Sequence, residues 1–388
     1  MRILRLQLTD WRNYLAVEVA FVPGANVLTG SNGQGKTNLV EAIGYLSTLG
    51  SHRVAGDAPL IRAGADAAII RAVAVTGDRE VLAEVQINRS APNRAQVNRA
   101  PVRARQLTRE VSSVLFAPED LTVVRGEPSA RRRYLDELLV ARTPRLAGVL
   151  SEYERALKQR NGLLRLARAG RSNLATLDIW DERLVTTGTA ILEARSSLIA
   201  DLAPLVAEQY GIVAGSDQLV AMRPVQSIDD AEPDAATGAD PTAFDSATDS
   251  APDSSTVAAR FTAALAAVRR RELERGITLV GPHRDDLLLT INDLPARGYA
   301  SHGESWSLAL ALRLGAVELL REASDAGDPI VILDDVFAEL DERRRSRLAE
   351  RVARYEQVII TAAVEADIPD AIRGAVTRVR NGVIEAAP

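Results

Sequence analysis

The chain contains no cysteine, which excludes disulfide bridges, thiolate zinc sites and a zinc hook of the kind some long-armed ATPases use. Lysine is almost absent as well: Lys36 and Lys158 stand alone among 47 Lys and Arg residues, so positive charge is carried by arginine. No run of 18 apolar residues occurs, and Met1-Arg2-Ile3-Leu4-Arg5 lacks the apolar core of a signal peptide. The expectation is a soluble, cytoplasmic protein. At 388 residues the chain exceeds what one core usually serves, so two domains, or one with a large insertion, are expected.

The net charge of −5 hides a segregation. Between Ser216 and Ser255 nine acidic residues face the single Arg223, a balance of −8 without which the chain would stand at +3. Between Arg99 and Arg171 sixteen basic residues meet eight acidic ones. Such an excess suits a solvated helical surface or contact with nucleic acid.

The stretch that organises the rest is Gly30-Ser31-Asn32-Gly33-Gln34-Gly35-Lys36-Thr37, a phosphate-loop pattern. It follows the apolar Asn26-Val27-Leu28-Thr29, which reads as a buried strand, and enters a helical pattern from Asn38 to Leu46. The three glycines let several backbone N–H groups converge on one anion, and the helix amino terminus adds its positive dipole end. The loop is therefore expected to hold a triphosphate, with Lys36 reaching the β- and γ-phosphates and the Thr37 hydroxyl completing the coordination of Mg²⁺.

Along the chain, alternation at Leu4, Leu6 and Leu8 and at Val17, Val19 and Phe21 predicts two opening strands joined around Trp11-Arg12-Asn13-Tyr14. Strand patterns at 68–75, 81–87 and 95–99 predict an antiparallel flank of the nucleotide sheet, and Ser113-Val114-Leu115-Phe116 a short buried strand. Helical stripes follow from Thr143-Pro144 to about Arg168 and from Thr176 to Pro204. These form an arm too short and irregular for an extended coiled coil. The stretch 216–255 has almost no large apolar residue and is expected to be a disordered acidic loop in that arm. Val257 to Glu274 returns as helix, and Thr278-Leu279-Val280-Gly281 is expected to re-enter the sheet.

Pro329-Ile330-Val331-Ile332-Leu333-Asp334-Asp335 is an apolar strand ending in two carboxylates, the form of a Walker B strand. Asp334 would hold Mg²⁺ through water, and Asp335 would polarise the attacking water. Ser301-His302-Gly303-Glu304 opens a helix as a capping box, and a helix amino terminus carrying Ser and Gly is also an anion site. Ala338-Glu339-Leu340-Asp341 resembles a D-loop, or caps the helix from Glu342.

This ordered set resembles the ABC/SMC ATPase head group. Within it the short arm resembles that of the RecF family of bacterial recombination mediators. So do the strings Asp10-Trp11-Arg12-Asn13-Tyr14, Ser51-His52-Arg53, Phe116-Ala117-Pro118-Glu119-Asp120-Leu121, Gly281-Pro282-His283-Arg284-Asp285-Asp286-Leu287 and Ser301-His302-Gly303-Glu304. The resemblance implies an α/β ABC-type head with a mixed sheet, residues 1–124 and 276–388, and an inserted mostly α-helical arm, residues 125–275. It implies ATP and Mg²⁺, ATP-driven homodimerisation, and binding to gapped, junction or double-stranded DNA in repair of gaps and stalled forks. RecR, RecO and the RecA recombinase would be partners, near the nucleoid. Each site would combine Lys36, Thr37 and Asp334 of one chain with Ser301 and Gly303 of the other, with Asp341 nearby. A Rad50-like or SMC head would carry a far longer arm, and a transporter subunit would lack one.

The motifs also depart from the group's pattern. The signature reads Ser-His-Gly-Glu rather than Ser-Gly-Gly-Gln, and Asp335 replaces the usual glutamate, which implies slow ATP turnover. No glutamine stands at Ala117, and Thr361, after the strand Gln357 to Ile360, replaces the switch histidine. Glu119, Asp120 and Thr361 are therefore left out of the expected site.

Overall fold

The computed structural model describes residues 1–170, 176–231, 256–324 and 327–386. Its strands, in chain order, are β1 (Arg2–Trp11), β2 (Tyr14–Ala20), β3 (Gly24–Thr29), β4 (Ala67–Thr76), β5 (Arg79–Asn88), β6 (Arg94–Val97), β7 (Ala100–Val102), β8 (Ser113–Phe116), β9 (Val220–Val225), β10 (Asp286–Ile291), β11 (Leu294–Pro295), β12 (Ile330–Asp334), β13 (Gln357–Ala362), β14 (Ala375–Arg380) and β15 (Val383–Ala386). The chain divides into two compact units, one of Met1–Ala130, Asp201–Ala221 and Leu289–Pro388, the other of Arg131–Ala200 and Met222–Leu288. Residues 125–130 and 201–221 thus belong with the first unit and 276–288 with the second, a division different from the expected one. Among the described residues no helix is long and apolar enough to cross a membrane.

The first unit holds two six-stranded sheets. One, in the order β15-β14-β3-β13-β12-β8, is parallel except for its β14–β15 hairpin. The other, β2-β1-β4-β5-β6-β7, is wholly antiparallel and forms a sheet of its own rather than a flank of the first. Between them lies the helix Lys36–Thr48, whose Leu39, Val40, Ala42, Ile43, Tyr45 and Leu46 are buried against side chains from both sheets in one apolar cluster. The continuous apolar run of β12 is buried at every position, as a central parallel strand with both faces covered should be. In β1 a bulge between Ile3 and Arg5 lets Ile3, Leu6 and Leu8 face one side, so the period runs through Ile3 and not through Leu4.

The second unit packs Tyr153, Leu184, Ile191, Phe261, Leu265 and Val280 into a separate cluster. Its helices include Leu146–Arg168, Val257–Arg275 and the first part of Leu177–Ala214, a helix that continues through Pro204 instead of ending there. Residues 278–281 are irregular, and the strand begins only at Asp286. The acidic stretch also departs from expectation: Val220–Val225 within it is ordered as β9, in a three-stranded sheet β11-β10-β9. The remainder of that stretch from residue 232 to 255 lies outside the described residues.

The family-like string from Gly281 to Leu287 supplies buried polar contacts of this second unit. Arg195 donates to the Pro282 carbonyl and pairs with Asp136; Arg132 donates to the Asp285 carbonyl, and Arg131 makes a two-pronged pair with Asp286. Asp285 accepts from both the amide and the hydroxyl of Ser227. The His283 Nε2 faces the Thr278 carbonyl at 3.3 Å, so it carries the proton and Nδ1 accepts from the Tyr153 hydroxyl at 2.7 Å. Burial lowers the His283 pKa to about 4, and the nearby arginines add to that effect.

Candidate functional site

The phosphate loop leaves β3 and enters the helix from Lys36 with left-handed backbone at Gly33 and Gly35. At Gly30 and Gly35 no side chain fits: a Cβ would come within 2.2 Å of the Val379 carbonyl oxygen and 2.5 Å of the Tyr14 hydroxyl. Ser31, Asn32 and Gly33 are exposed, and the Gln34 side chain accepts from the Asn381 amide at 2.6 Å. A cleft of about 630 Å³ flanks the loop, lined in part by Gly30, Ser31, Gln34, Arg378 and Arg380.

Two of the strings found in the sequence close around this helix. Trp11 donates to the Asn38 carbonyl at 2.7 Å, Asn38 donates to Asn13, and Arg12 forms a two-pronged pair with the buried Glu41. Ser51 donates to the same Glu41 at 2.6 Å, and Arg53 donates to Asn38 at 2.9 Å. A charged carboxylate on the buried side of the helix is thereby satisfied, and the β1–β2 turn is fixed against the loop.

Lys36 is 3 % exposed, and its ammonium donates to the carbonyls of Gly30 at 2.6 Å and Ser31 at 3.2 Å. Asp334 is equally buried and accepts at Oδ1 from two hydroxyls, Thr361 at 2.6 Å and Thr37 at 3.0 Å. It has no ion-pair partner among the described residues. Burial raises its pKa to about 6; the two hydroxyls oppose the rise, while Asp335 and Glu119 add to it. Asp335 stands in the left-handed region at φ 52°, and its pKa is raised by burial and held back by the Lys36 charge. The hydroxyl of Thr37 and the carboxylate of Asp334 are hard oxygen donors beside an uncompensated negative charge, a set that fits Mg²⁺. Among the described residues no cluster of three His, Asp or Glu side chains forms a closed metal site, so water and phosphate oxygens would complete the shell.

Ser301 caps the helix His302–Glu322 in a full capping box with Glu304. Glu304 also accepts from Gln218 at 2.7 Å, and these bonds lower its pKa. Asp341 caps the helix Glu342–Val352 and pairs with Arg344, whose guanidinium also donates to Ser307 at 3.1 Å and packs over Gly303. The signature segment and the D-loop segment are therefore joined through Arg344, which the sequence did not single out. The geometry brings Lys36, Thr37, Asp334 and Asp335 together, and keeps Ser301, Gly303 and Asp341 as a second group.

Two residues left out of the expected site stand beside its carboxylates. Thr361 belongs to β13, which runs on to Ala362, and the parallel register sets it opposite Asp334. Glu119 acts on both Asp334 and the half-buried His52, whose pKa is lowered by burial. Asp120 instead accepts from the Ala117 amide and pairs with Arg313, a structural role.

The model of the RecF/RecN/SMC N-terminal domain matches residues 2–384. The DNA replication and repair protein RecF of Clavibacter michiganensis subsp. michiganensis is 58% identical, the match covering 100% of this chain and 96% of that protein. The one from Streptomyces avermitilis is 50% identical, covering 99% of this chain and 100% of that protein. Among solved structures, the recombination mediator protein RecF with ATP, of the RecFOR pathway, is similar with a TM-score of 0.86 at 24% identity, covering 100% of this chain and 97% of that one. An Smc head domain from Pyrococcus furiosus, bound to the C-terminal domain of ScpA, follows with a TM-score of 0.52 at 15% identity, covering 99% of this chain and 95% of that one. The ABC-type head fold and the full-length matches together lead to one assignment: the chain belongs to the RecF family within the RecF/RecN/SMC N-terminal domain group.

Proposed function

We propose that this chain is an ATP-dependent DNA-binding protein of recombinational repair and of replication-fork and gap processing, in which ATP joins two heads as a clamp or switch. The observation that carries the reading is the meeting of Lys36, Thr37, Asp334 and Asp335 beside the glycine loop, in a chain that matches DNA replication and repair proteins end to end. Lys36 would turn its ammonium from the loop carbonyls to the β- and γ-phosphates. Thr37 and Asp334 would hold Mg²⁺, which supplies charge neutralisation at the phosphates. Asp335 would orient the attacking water, and its short reach supports slow hydrolysis.

Ser301 and Gly303 would face the γ-phosphate of a second copy, with Asp341 close to the same junction. The family supports DNA with gaps or junctions as the substrate surface, RecR, RecO and RecA as partners, and a cytoplasmic place near the nucleoid. Mass measured in solution with and without ATP and gapped DNA tests the reading. The wild type should double in mass with ATP, whereas Ser301→Arg should bind ATP and remain single. A Ser301→Arg protein that still dimerises and hydrolyses ATP would leave Ser301 as a helix cap only.

A further inference from the structure

Thr361 has no role in the site as its motifs define it, yet it touches both catalytic carboxylate residues. We propose that Thr361 is a positioning residue that fixes the carboxylate of Asp334 through its hydroxyl hydrogen and the turned backbone of Asp335 through its hydroxyl oxygen. The proposal deepens the ATPase reading above and rests on it for the part that concerns turnover.

Position comes first. β13 lies between β3 and β12, and the register pairs Thr361 with Leu28 on one side and Asp334 on the other. Thr361 therefore stands between the end of the strand that feeds the phosphate loop and the end of the strand that carries the two aspartates. It is 1% exposed, so its hydroxyl must find its partners within the protein.

Those partners use both capacities of the group. The hydroxyl donates to Asp334 Oδ1 at 2.6 Å and accepts from the Asp335 amide at 2.9 Å. One hydroxyl has one hydrogen, so the donor half is spent on the carboxylate and the acceptor half on the amide. The second bond matters because Asp335 leaves β12 in the left-handed region, φ 52° and ψ 21°, which aspartate reaches more readily than most residues but which ends the strand. There the amide has left the strand ladder, and Thr361 supplies its acceptor. Thr37 also donates to Asp334 Oδ1, at 3.0 Å, but among the described residues only Thr361 bonds to both aspartates. Their relative placement thus depends on one side chain, whose branched β-carbon also suits a buried strand.

Valine at this position keeps the branched shape and removes both hydrogen-bonding functions, whereas serine keeps both. The test compares Thr361→Val and Thr361→Ser with the wild type in two measurements. In the nucleotide-free protein, exchange of the Asp335 amide should be at least about tenfold faster in Thr361→Val and near wild type in Thr361→Ser. With Mg²⁺ and ATP, Thr361→Val should turn over at least about tenfold more slowly while its ATP Kd moves by less than about threefold, and Thr361→Ser should restore turnover. Wild-type protection of the Asp335 amide in Thr361→Val overturns the proposal, and so does a Thr361→Ser protein as impaired as Thr361→Val. If the wild type itself does not hydrolyse ATP, the hydrolytic reading falls, and the exchange measurement still decides whether Thr361 holds Asp335.

Discussion

Buried charge is handled in opposite ways around Arg160 in the helical unit and at the phosphate loop. In the helical unit the buried arginines are matched: Arg160, fully buried, lies between Glu272 at 2.5 Å and Asp181 at 2.6 Å and donates also to Thr278, and Arg131 and Arg195 have carboxylate partners of their own. At the phosphate loop, Lys36 and Asp334 are each 3 % exposed and neither has an ion pair among the described residues. An unmatched buried charge costs stability, whereas a matched one costs little until it is broken. The matched arginines thus serve structure, and in the proposed reading phosphate and a cation would match Lys36 and Asp334.

The comparison can be broken at its strongest point first. Arg160→Ala leaves Glu272 charged, buried and unpaired, and should cost about 3–5 kcal/mol in denaturant unfolding. A loss below about 1 kcal/mol would show that the triad is not a matched structural unit.

Lys36→Met provides the contrast. It removes a buried charge that has no ion pair, so unfolding stability should change little, while ATP binding weakens by roughly 1.5–3 kcal/mol, about ten- to a hundredfold. Calorimetric titration with ATP beside a melting curve separates the two effects. A variant as destabilised as Arg160→Ala would place Lys36 among the structural charges.

The pH response sharpens the contrast. His283 has a depressed pKa of about 4, so its contribution is present above the unfolded value near 6.5 and is lost as pH falls toward 4. Asp334 has a raised pKa of about 6, so its contribution is present below the unfolded value near 3.9 and is lost as pH rises through 6. Between about pH 4 and 6, rising pH should stabilise the helical unit through His283 and destabilise the nucleotide-free head through Asp334. Hydrogen exchange read for each unit, corrected for intrinsic rates and compared with His283→Gln, should give opposite slopes.

How far each region could be read in the sequence follows from how local its contacts are. Lys36 and Thr37 stand in a short motif with its strand and helix attached, and Asp334 ends an apolar strand, so their types and spacing carried the reading. Thr361 did not, because it meets Asp334 only through the register of two parallel strands. Arg344 over Gly303 and Glu41 beneath Arg12 are likewise tertiary meetings with no local pattern. The string from Gly281 to Leu287 was visible as a family mark but not as a structure, since its partners Ser227, Arg132, Arg195 and Tyr153 are scattered along the chain. Strand β9 was hidden by its acidic surroundings, where the apolar Val220, Met222 and Val225 are too few to set a period.

The most direct test of the account is the melting temperature of Asp334→Asn beside the wild type, each measured with and without Mg²⁺ and ATP. Asparagine keeps the oxygen that accepts from Thr37 and Thr361 and removes the unmatched charge. Without ligand, at pH 7.5, the variant should therefore be more stable by about 1–3 kcal/mol, an increase of a few degrees. With Mg²⁺ and ATP the order should reverse, because only the wild type gains the cation and the phosphates. A variant less stable than the wild type without ligand, or one stabilised equally by Mg²⁺ and ATP, would contradict the claim that Asp334 is a charge held unmatched for its ligand.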